Sequence, residues 1–141
     1  MASLNFNSFV RDVVTGAIDL DTDSFKMMLV SVVPTTTHKD TWTKRSDVTN
    51  EVTGTGYTAG GTAVTLTVAA VDTANDDVEI TCSAPNWPSS TITALAAVIY
   101  KSRGGASSAD ELVCSIDFGG SVSSTNGTFT VTPSGSIKFQ N

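Results

Sequence analysis

Runs of alternating apolar and polar residues, separated by turn residues, recur along this chain and constrain its fold more than any other feature. In residues 78–82, and again in residues 112–118, every second side chain is apolar. That period of two is typical of a β-strand with one buried face. Residues 72–77 and 133–135 are rich in turn formers. The pattern predicts a mainly β protein, an antiparallel β-sandwich or barrel of about seven to eight short strands.

The residue content favours the same fold. The 141 residues include 22 Thr and 16 Val but only 6 Leu, and side chains branched at Cβ fit a pleated sheet better than a helix. Residues 25–33 are apolar on both faces, which indicates a central strand covered on both sides. A chain of this length is expected to form a single domain over residues 1–141. Further strands are predicted at residues 62–71, 92–101, 128–132 and 136–139.

One short helix is predicted near the N-terminus, at residues 5–14. Asn5 is placed to cap its start, and Gly16 is placed to end it in a left-handed conformation. A helix of about ten residues is marginal in water, so its apolar stripe must dock on the chain's own sheet or on a neighbouring subunit. The stripe at helical spacing consists of Phe6, Phe9, Val10, Val13 and Val14.

A long polar segment, residues 35–60, separates two predicted strands, and residues 46–51 within it are expected to form a turn of helix. Long loops inside compact domains often serve function or partner contact. This one carries Trp42 and Tyr57 beside the basic His38, Lys39, Lys44 and Arg45, in an acidic chain. An aromatic anchor with charges around it favours an interface, formed together with residues 1–9. The predicted partner contacts are Phe6, Phe9, Trp42, Arg45 and Tyr57.

Two alternatives for this segment remain open at the level of sequence. Trp42 either contacts a partner or folds back over the edge of the core, and the segment as a whole is either an interface or a mobile, solvated loop. The glycine-rich residues 54–61 within it lack the Lys-Ser/Thr pair of phosphate-binding loops. Their predicted role is conformational, since glycine permits positive φ in turns and bulges.

The residues do not predict catalysis, a cofactor or a metal site. His38 is the one histidine, and Cys82 and Cys114 both follow the inward phase of alternating strands, so both are expected to be buried and unreactive. Zinc would need four ligands at recognisable spacing. The alternating aspartates of residues 19–23 lack the Gly and Glu that a calcium loop requires. We predict that the protein is not an enzyme.

Charge and hydropathy limit the classes of partner that the chain is expected to bind. With 14 acidic and 8 basic residues, the formal net charge is −6, which disfavours binding to a nucleic-acid backbone. No apolar run approaches the roughly 18 residues of a membrane-spanning helix. Residues 1–9 show no secretory-signal pattern. We therefore expect synthesis in the cytoplasm, with no nucleic-acid or membrane partner.

Several strings, in order along nearly the whole chain, resemble a family of small virion structural proteins of tailed bacteriophages and prophages. Residues 34–43 and 102–110 depart from the family pattern, so partner contacts there are expected to differ. The strings that carry the resemblance are residues 6–9 with 16–26, residues 45–48 with 51–61, and residues 97–101 with 117–119.

The resemblance implies a β-rich particle component present in many copies, with no activity of its own. Within that class we favour a capsid decoration (cement) protein that binds the assembled head lattice. Its expected partners are the major capsid protein or other virion subunits, together with further copies of itself, and its expected location is the virion. A head–tail connector or tail protein is one alternative. A carbohydrate-binding module on a virion is another, since Trp42, Tyr57 and Trp87 could stack on sugar rings.

Overall fold

The structure is a computed structural model that describes residues 2–141; Met1, the first residue of the predicted N-terminal contact segment, lies outside the described residues. Eight strands form two antiparallel sheets in a sandwich-like arrangement, which confirms the predicted mainly β fold. In spatial order, the larger sheet contains β1 (Leu4–Asn5), β7 (Leu112–Thr130), β6 (Asn86–Lys101), β2 (Phe25–Val30) and β3 (Thr62–Val64). The smaller sheet contains β4 (Leu66–Val68), β5 (Asp77–Cys82) and β8 (Ile137–Gln140).

The predicted strand at residues 62–71 is divided between the two sheets. Its first part, β3, pairs with β2, and its second part, β4, pairs with β5. Between them the N–H of Thr65 donates to the Ser83 hydroxyl oxygen at 2.9 Å, so it does not continue the ladder of the larger sheet. This short crossing links the two sheets covalently. One hydrophobic cluster then includes Met27 of the larger sheet and Ile80 of the smaller one.

Strands β6 and β7 form a hairpin that is far longer than the sequence predicts. The predicted strand of residues 112–118 and most of that of residues 128–132 belong to one strand, so residues 119–120 and 126–127 between them lie inside β7. They are absorbed as β-bulges: Ala96 pairs with Asp117 but Ala94 pairs with Val122, so β7 has additional residues between these two pairs. Gly119 has a φ of +75° at this bulge. Glycine tolerates that conformation, so a residue typical of turns marks a bulge here.

Helix α1 comprises Asn7–Val14 and packs on the chain's own core. Asn5 does not cap it, because Asn5 lies in β1 and pairs with Cys114. Gly16 has the predicted left-handed conformation, with a φ of +78°. Phe9 is buried, and its ring centroid lies 6.0 Å from that of Phe139 in β8.

The apolar stripe of α1 is buried only in part. Val10 and Val14 are 51% and 80% exposed, although they belong to the predicted stripe, while Asp12 is buried in their place. The helix therefore faces the core through Phe9 and Asp12, about one turn apart, and its outer side carries two exposed valines.

The polar segment of residues 35–60 contains a second short helix, α2 (Thr36–Thr41), and a 3-10 turn at Arg45–Asp47. The helical turn predicted at residues 46–51 is therefore shorter than expected and begins one residue earlier. Helix α2 begins with a capping box in which the N–H of Thr35 donates to Nδ1 of His38 at 3.1 Å. Sequence reasoning missed it because Glu or Gln is the usual residue at that position. In the part of the chain that the structure describes, no helix is long and apolar enough to cross a membrane.

Candidate interaction surface

Two of the five predicted partner contacts lie in the interior. Phe6 is 0% exposed and Phe9 is 1% exposed. Phe6 lies beneath Trp42, with ring centroids 6.3 Å apart. Neither phenylalanine offers surface to a partner in this conformation, so their predicted role is corrected to that of core residues. The apolar spacing indicated burial correctly but could not say against which chain.

Trp42 is half-buried and covers the edge of the core. Its indole stacks on the ring of His38, with centroids 4.1 Å apart, and on Phe6 below. The backbone N–H of Trp42 also donates to the carbonyl of His38 at 2.8 Å. The folded-back arrangement is the one present, and the part of the indole that stays accessible faces out beside α2. A partner contact through that part remains a prediction.

Arg45 is held to its own chain by an ion pair and by an aromatic ring. Its Nε lies 2.8 Å from the Asp110 carboxylate, and its guanidinium carbon lies 5.1 Å from the Tyr100 ring centroid. Asp110 is 1% exposed. The structure therefore assigns Arg45 to an ion pair with a buried carboxylate, which joins the polar segment to the loop of residues 102–111, and a partner contact through the accessible part of Arg45 stays a prediction.

Glu111, next in sequence to Asp110, neutralises two further cations. Its carboxylate lies 3.1 Å from Lys44 and 2.8 Å from Arg103. Burial alone would raise the pKa of Glu111, but hydrogen bonds from Arg103 and Lys44 outweigh it and lower the pKa to about 2. Much of the positive charge that suggested an interface is thus balanced inside the chain. We call Lys44, Arg45, Arg103, Asp110 and Glu111 the ion-pair network.

Tyr57 also has an internal role. Its hydroxyl donates to the Glu51 carboxylate at 2.8 Å and accepts the N–H of Leu29 at 3.0 Å. Burial, together with the bond to Glu51, raises the pKa of Tyr57. The N–H of Gly60 donates to the same carboxylate at 2.6 Å. These bonds fasten the glycine-rich residues to β2, so Tyr57 supports the scaffold, and a partner contact by it stays a prediction.

The predicted conformational role of the glycine-rich residues is confirmed. Gly56, Gly60 and Gly61 all have positive φ. A Cβ on Gly61 would collide with the carbonyl oxygen of Met27, and one on Gly54 would collide with that of Thr91. The close approach places residues 54–57 along the outer edge of β6. Part of that edge is thereby closed, because Thr91 donates its N–H to the carbonyl of Thr55 at 2.9 Å.

The largest surface that sequence reasoning missed is the far half of the hairpin, residues 86–94 of β6 with residues 118–130 of β7, which we call the outer ribbon. No Asp, Glu, Lys or Arg occurs between Ile80 and Tyr100 or between Phe118 and Ile137. One face of the ribbon is buried through Trp87, Ile92 and Phe129. The opposite face carries hydroxyls, as in the pair Thr93 and Ser123, whose oxygens are 2.8 Å apart. The signal that could have revealed it is the absence of charge from two segments that pair.

The two thiols and the Asp19 carboxylate, which could in principle react or bind a metal ion, have structural roles. Cys114 is fully buried, as predicted, and burial raises its pKa to about 12. Cys82 is only half-buried, which corrects its predicted burial, and its pKa is raised to about 11 for the same reason. It lies at the end of β5, where the strand leaves the core. Asp19 accepts the N–H groups of Asp21 and Thr22, which closes a turn at residues 19–23.

The aromatic side chains suggested for sugar stacking are less accessible than the sequence implied. Trp87 is 4% exposed. Its ring packs between those of Tyr57 and Phe129, with centroids 6.1 and 6.0 Å away. It offers no free face to a sugar ring, and the carbohydrate-binding alternative therefore loses one of its three aromatic groups. Within residues 2–141, no group of three or more His, Cys, Asp or Glu side chains is placed to hold a metal ion.

Comparison with protein-family models, with curated proteins and with solved structures gives no match for this chain. The basis for a functional proposal is therefore the resemblance of the sequence strings and the distribution of charge over the fold.

Proposed function

We propose that this chain is a structural subunit of a tailed-bacteriophage particle, specifically a capsid decoration (cement) protein that binds the assembled head lattice. The observation that carries the proposal is the outer ribbon, a long charge-free sheet segment in a protein with a net charge of −6. Charged residues are typically depleted at the centre of protein–protein interfaces. A hydroxyl-bearing sheet surface of this kind suits repeated contacts between subunits.

The places of the resembling strings in the fold support the same class of protein. Residues 51–61 form the loop that Glu51 fastens to β2, and residues 97–101 are the most buried part of β6. Residues 45–48 begin with the ion pair of Arg45 and Asp110. The strings thus coincide with the parts that hold the scaffold together. A resemblance of this kind supports a shared fold more strongly than a shared partner.

The polar segment supplies a second surface for the particle. Asp40 at the end of α2 accepts a hydrogen bond from the Asn7 side chain at 2.7 Å, which ties this helix to α1. The accessible part of Trp42 lies beside them. Because α1 and α2 are held together, the exposed side of both can meet a neighbouring subunit as one unit.

The direct test is to locate the chain in an electron-microscopy map of the particle. A decoration protein is expected over the whole head, in a copy number close to that of the major capsid protein. A single ring at one vertex would instead support the head–tail connector alternative, and density along the tail would support a tail protein. Absence of the chain from purified particles would contradict the proposal altogether.

Hydrogen exchange provides an independent test on purified protein and particles. Amides of residues 35–58 and of residues 118–130 are expected to exchange more slowly in the particle-bound state than in the free state. The turn at residues 72–77, which the Asp72 carboxylate closes by accepting the N–H groups of Ala74 and Asn75, is the internal reference and should not change. Equal exchange of both test segments in the two states would argue against particle binding through them.

A further inference from the structure

The edge of β7 differs from the free edges of β3, β4 and β8. β3 and β4 are three residues long, and β8 is four residues long and carries Lys138. Short strands and lysine are the usual means by which proteins keep exposed edges from pairing with other chains. β7 pairs with β1 only at Cys114 and Ser115, and no other strand of residues 2–141 pairs with that side of it further along. From Phe118 onward, the edge of β7 is therefore long, uncharged and open.

Two bulges limit the part of this edge that is regular. One lies between Asp117 and Val122, and the other lies at Asn126, which has a φ of +47°. Between them, residues 122–124 pair with β6 without interruption. Bulges bend a strand away from a would-be partner, so pairing with a further strand is restricted to a short segment, residues 121–125.

A groove with both polar and apolar lining lies beside that segment. It encloses about 390 Å³, and its lining includes the polar Ser3 and Asp117 beside the apolar Phe118, Val122 and Phe129. Val122 is 41% exposed at its rim. Ser3, the residue before β1, reaches the same place, since its hydroxyl oxygen accepts the N–H of Asp117 at 2.9 Å. A strand added to the edge of β7 would thus continue from where β1 stops.

We propose that residues 121–125 of β7 pair, in antiparallel orientation, with the same residues of a second copy of this chain, so that the larger sheet continues across a two-fold dimer. Antiparallel pairing of a segment with itself is symmetric about a two-fold axis, here at Ser123, and places Ser121 opposite Thr125 of the other copy. The groove beside each edge receives the other copy's Val122.

Charge is what favours a second copy over a different partner. Two chains of net charge −6 repel each other wherever their carboxylates approach. The outer ribbon is a surface where they can meet without bringing like charges together. A strongly basic partner would gain no attraction from residues 121–125, because these residues carry no carboxylate. The inference concerns the free protein and does not depend on its place in a particle.

A charge-swap experiment tests the pairing. In the wild type, sedimentation velocity over a concentration series is expected to show a dimer. The double variant Ser121→Glu with Thr125→Glu, and the double variant Ser121→Lys with Thr125→Lys, should each weaken the dimer at least about tenfold, because like charges then face each other across the pair. An equimolar mixture of the two variants should recover the dimer as a heterodimer.

The controls separate pairing from folding. Both substituted positions are exposed, so circular dichroism and the melting temperature should stay close to those of the wild type. The variant Thr73→Glu with Ser108→Glu carries the same added charge at exposed positions outside the outer ribbon and should still dimerise. A monomeric wild type at all concentrations would overturn the inference, as would a Glu variant that dimerises like the wild type. Failure of the folded variants to recover the dimer on mixing would do so too.

Discussion

The two halves of the β6–β7 hairpin consist of the same two strands, yet they differ in where charge lies. The inner half, residues 96–101 with residues 112–117, is flanked by β1 and β2. Its loop is closed by the ion-pair network around Asp110 and Glu111. The outer half has no charged residue from Phe118 onward, and its β7 edge is free. Both halves bury apolar side chains, so burial alone does not tell a closed sheet end from an open one. The placement of charged residues distinguishes the closed end of the sheet from the open one.

The largest expected effect lies in the inner half. Asp110→Ala removes the acceptor for Arg45 and for the N–H of Arg103, each at 2.8 Å. The guanidinium of Arg45 is then left over Tyr100 without its partner, and we expect a loss of about 3 kcal/mol in the free energy of unfolding. Urea denaturation measures it. Asp21→Ala, at an exposed turn position, is the matched control and should change stability by less than about 0.5 kcal/mol. Equal losses in the two variants would contradict the comparison.

Acid should weaken the inner half through Glu111. Its pKa is lowered from 4.5 to about 2 in the folded protein, so its contribution is complete above pH 4.5 and is lost as the pH falls towards 2. The shift corresponds to about 3 kcal/mol. Glu111→Gln should remove this part of the acid dependence while lowering stability at neutral pH. Unfolding free energies measured from pH 2 to pH 7 check this. The same fall in unfolding free energy below pH 4.5 in the wild type and in Glu111→Gln would contradict it.

The outer half should tolerate the loss of its polar contacts. Thr93→Val with Ser123→Ala removes an exposed hydroxyl pair, and water hydrates the neighbouring groups in its place. We expect a change of no more than about 1 kcal/mol in the free energy of unfolding. Urea denaturation beside the Asp110→Ala variant gives the contrast. A loss as large as that of Asp110→Ala would mean that the hydroxyl face stabilises the fold.

Thiol labelling should distinguish the two halves without changing stability. Cys114 lies in the inner half, is fully buried and has a pKa raised to about 12, so a bulky reagent should reach it only when the sheet opens. In a Cys82→Ser background, Thr93→Cys places a thiol on the exposed face of the outer half, outside the segment of residues 121–125. That thiol should react many times faster than Cys114. Similar rates for both positions would show that the inner half opens as readily as the outer half.

The sequence predicted the strands, because they depend on the alternation of neighbouring residues. It missed the bulges, because they depend on pairing between residues distant in sequence. The alternation of residues 78–82 and 112–118 indicated strands because side-chain direction in a strand follows from the backbone alone. The bulge at Gly119 has the same residue preference as a turn, so one long strand was interpreted as two. Only the pairing with β6, far away in the chain, decides between them.

Because the sequence does not show which distant residues pair, it also could not show which side chains of the candidate interaction surface are used within the chain. Arg45 in a polar segment indicated an interface, but its partner Asp110 is 65 positions away in sequence. Phe6 and Phe9 had the spacing of buried residues, and the sequence did not show whether their own chain or another covers them. The outer ribbon could not be recognised in the sequence for a related reason. Its lack of charge becomes a surface property only when residues 86–94 and 118–130 are neighbours.

The contact between Phe9 of α1 and Phe139 of β8 has a consequence for synthesis in the cell. At ordinary translation rates, the ribosome needs roughly ten seconds to produce the chain between these two residues. Strand β1 must likewise wait for Cys114 and Ser115 before it can pair. During that interval α1 is too short to be a stable helix by itself, and Phe9, together with Phe6 just before the helix, remains exposed to chaperones and to other nascent chains. A residue synthesised 130 positions later thus completes the burial of Phe9.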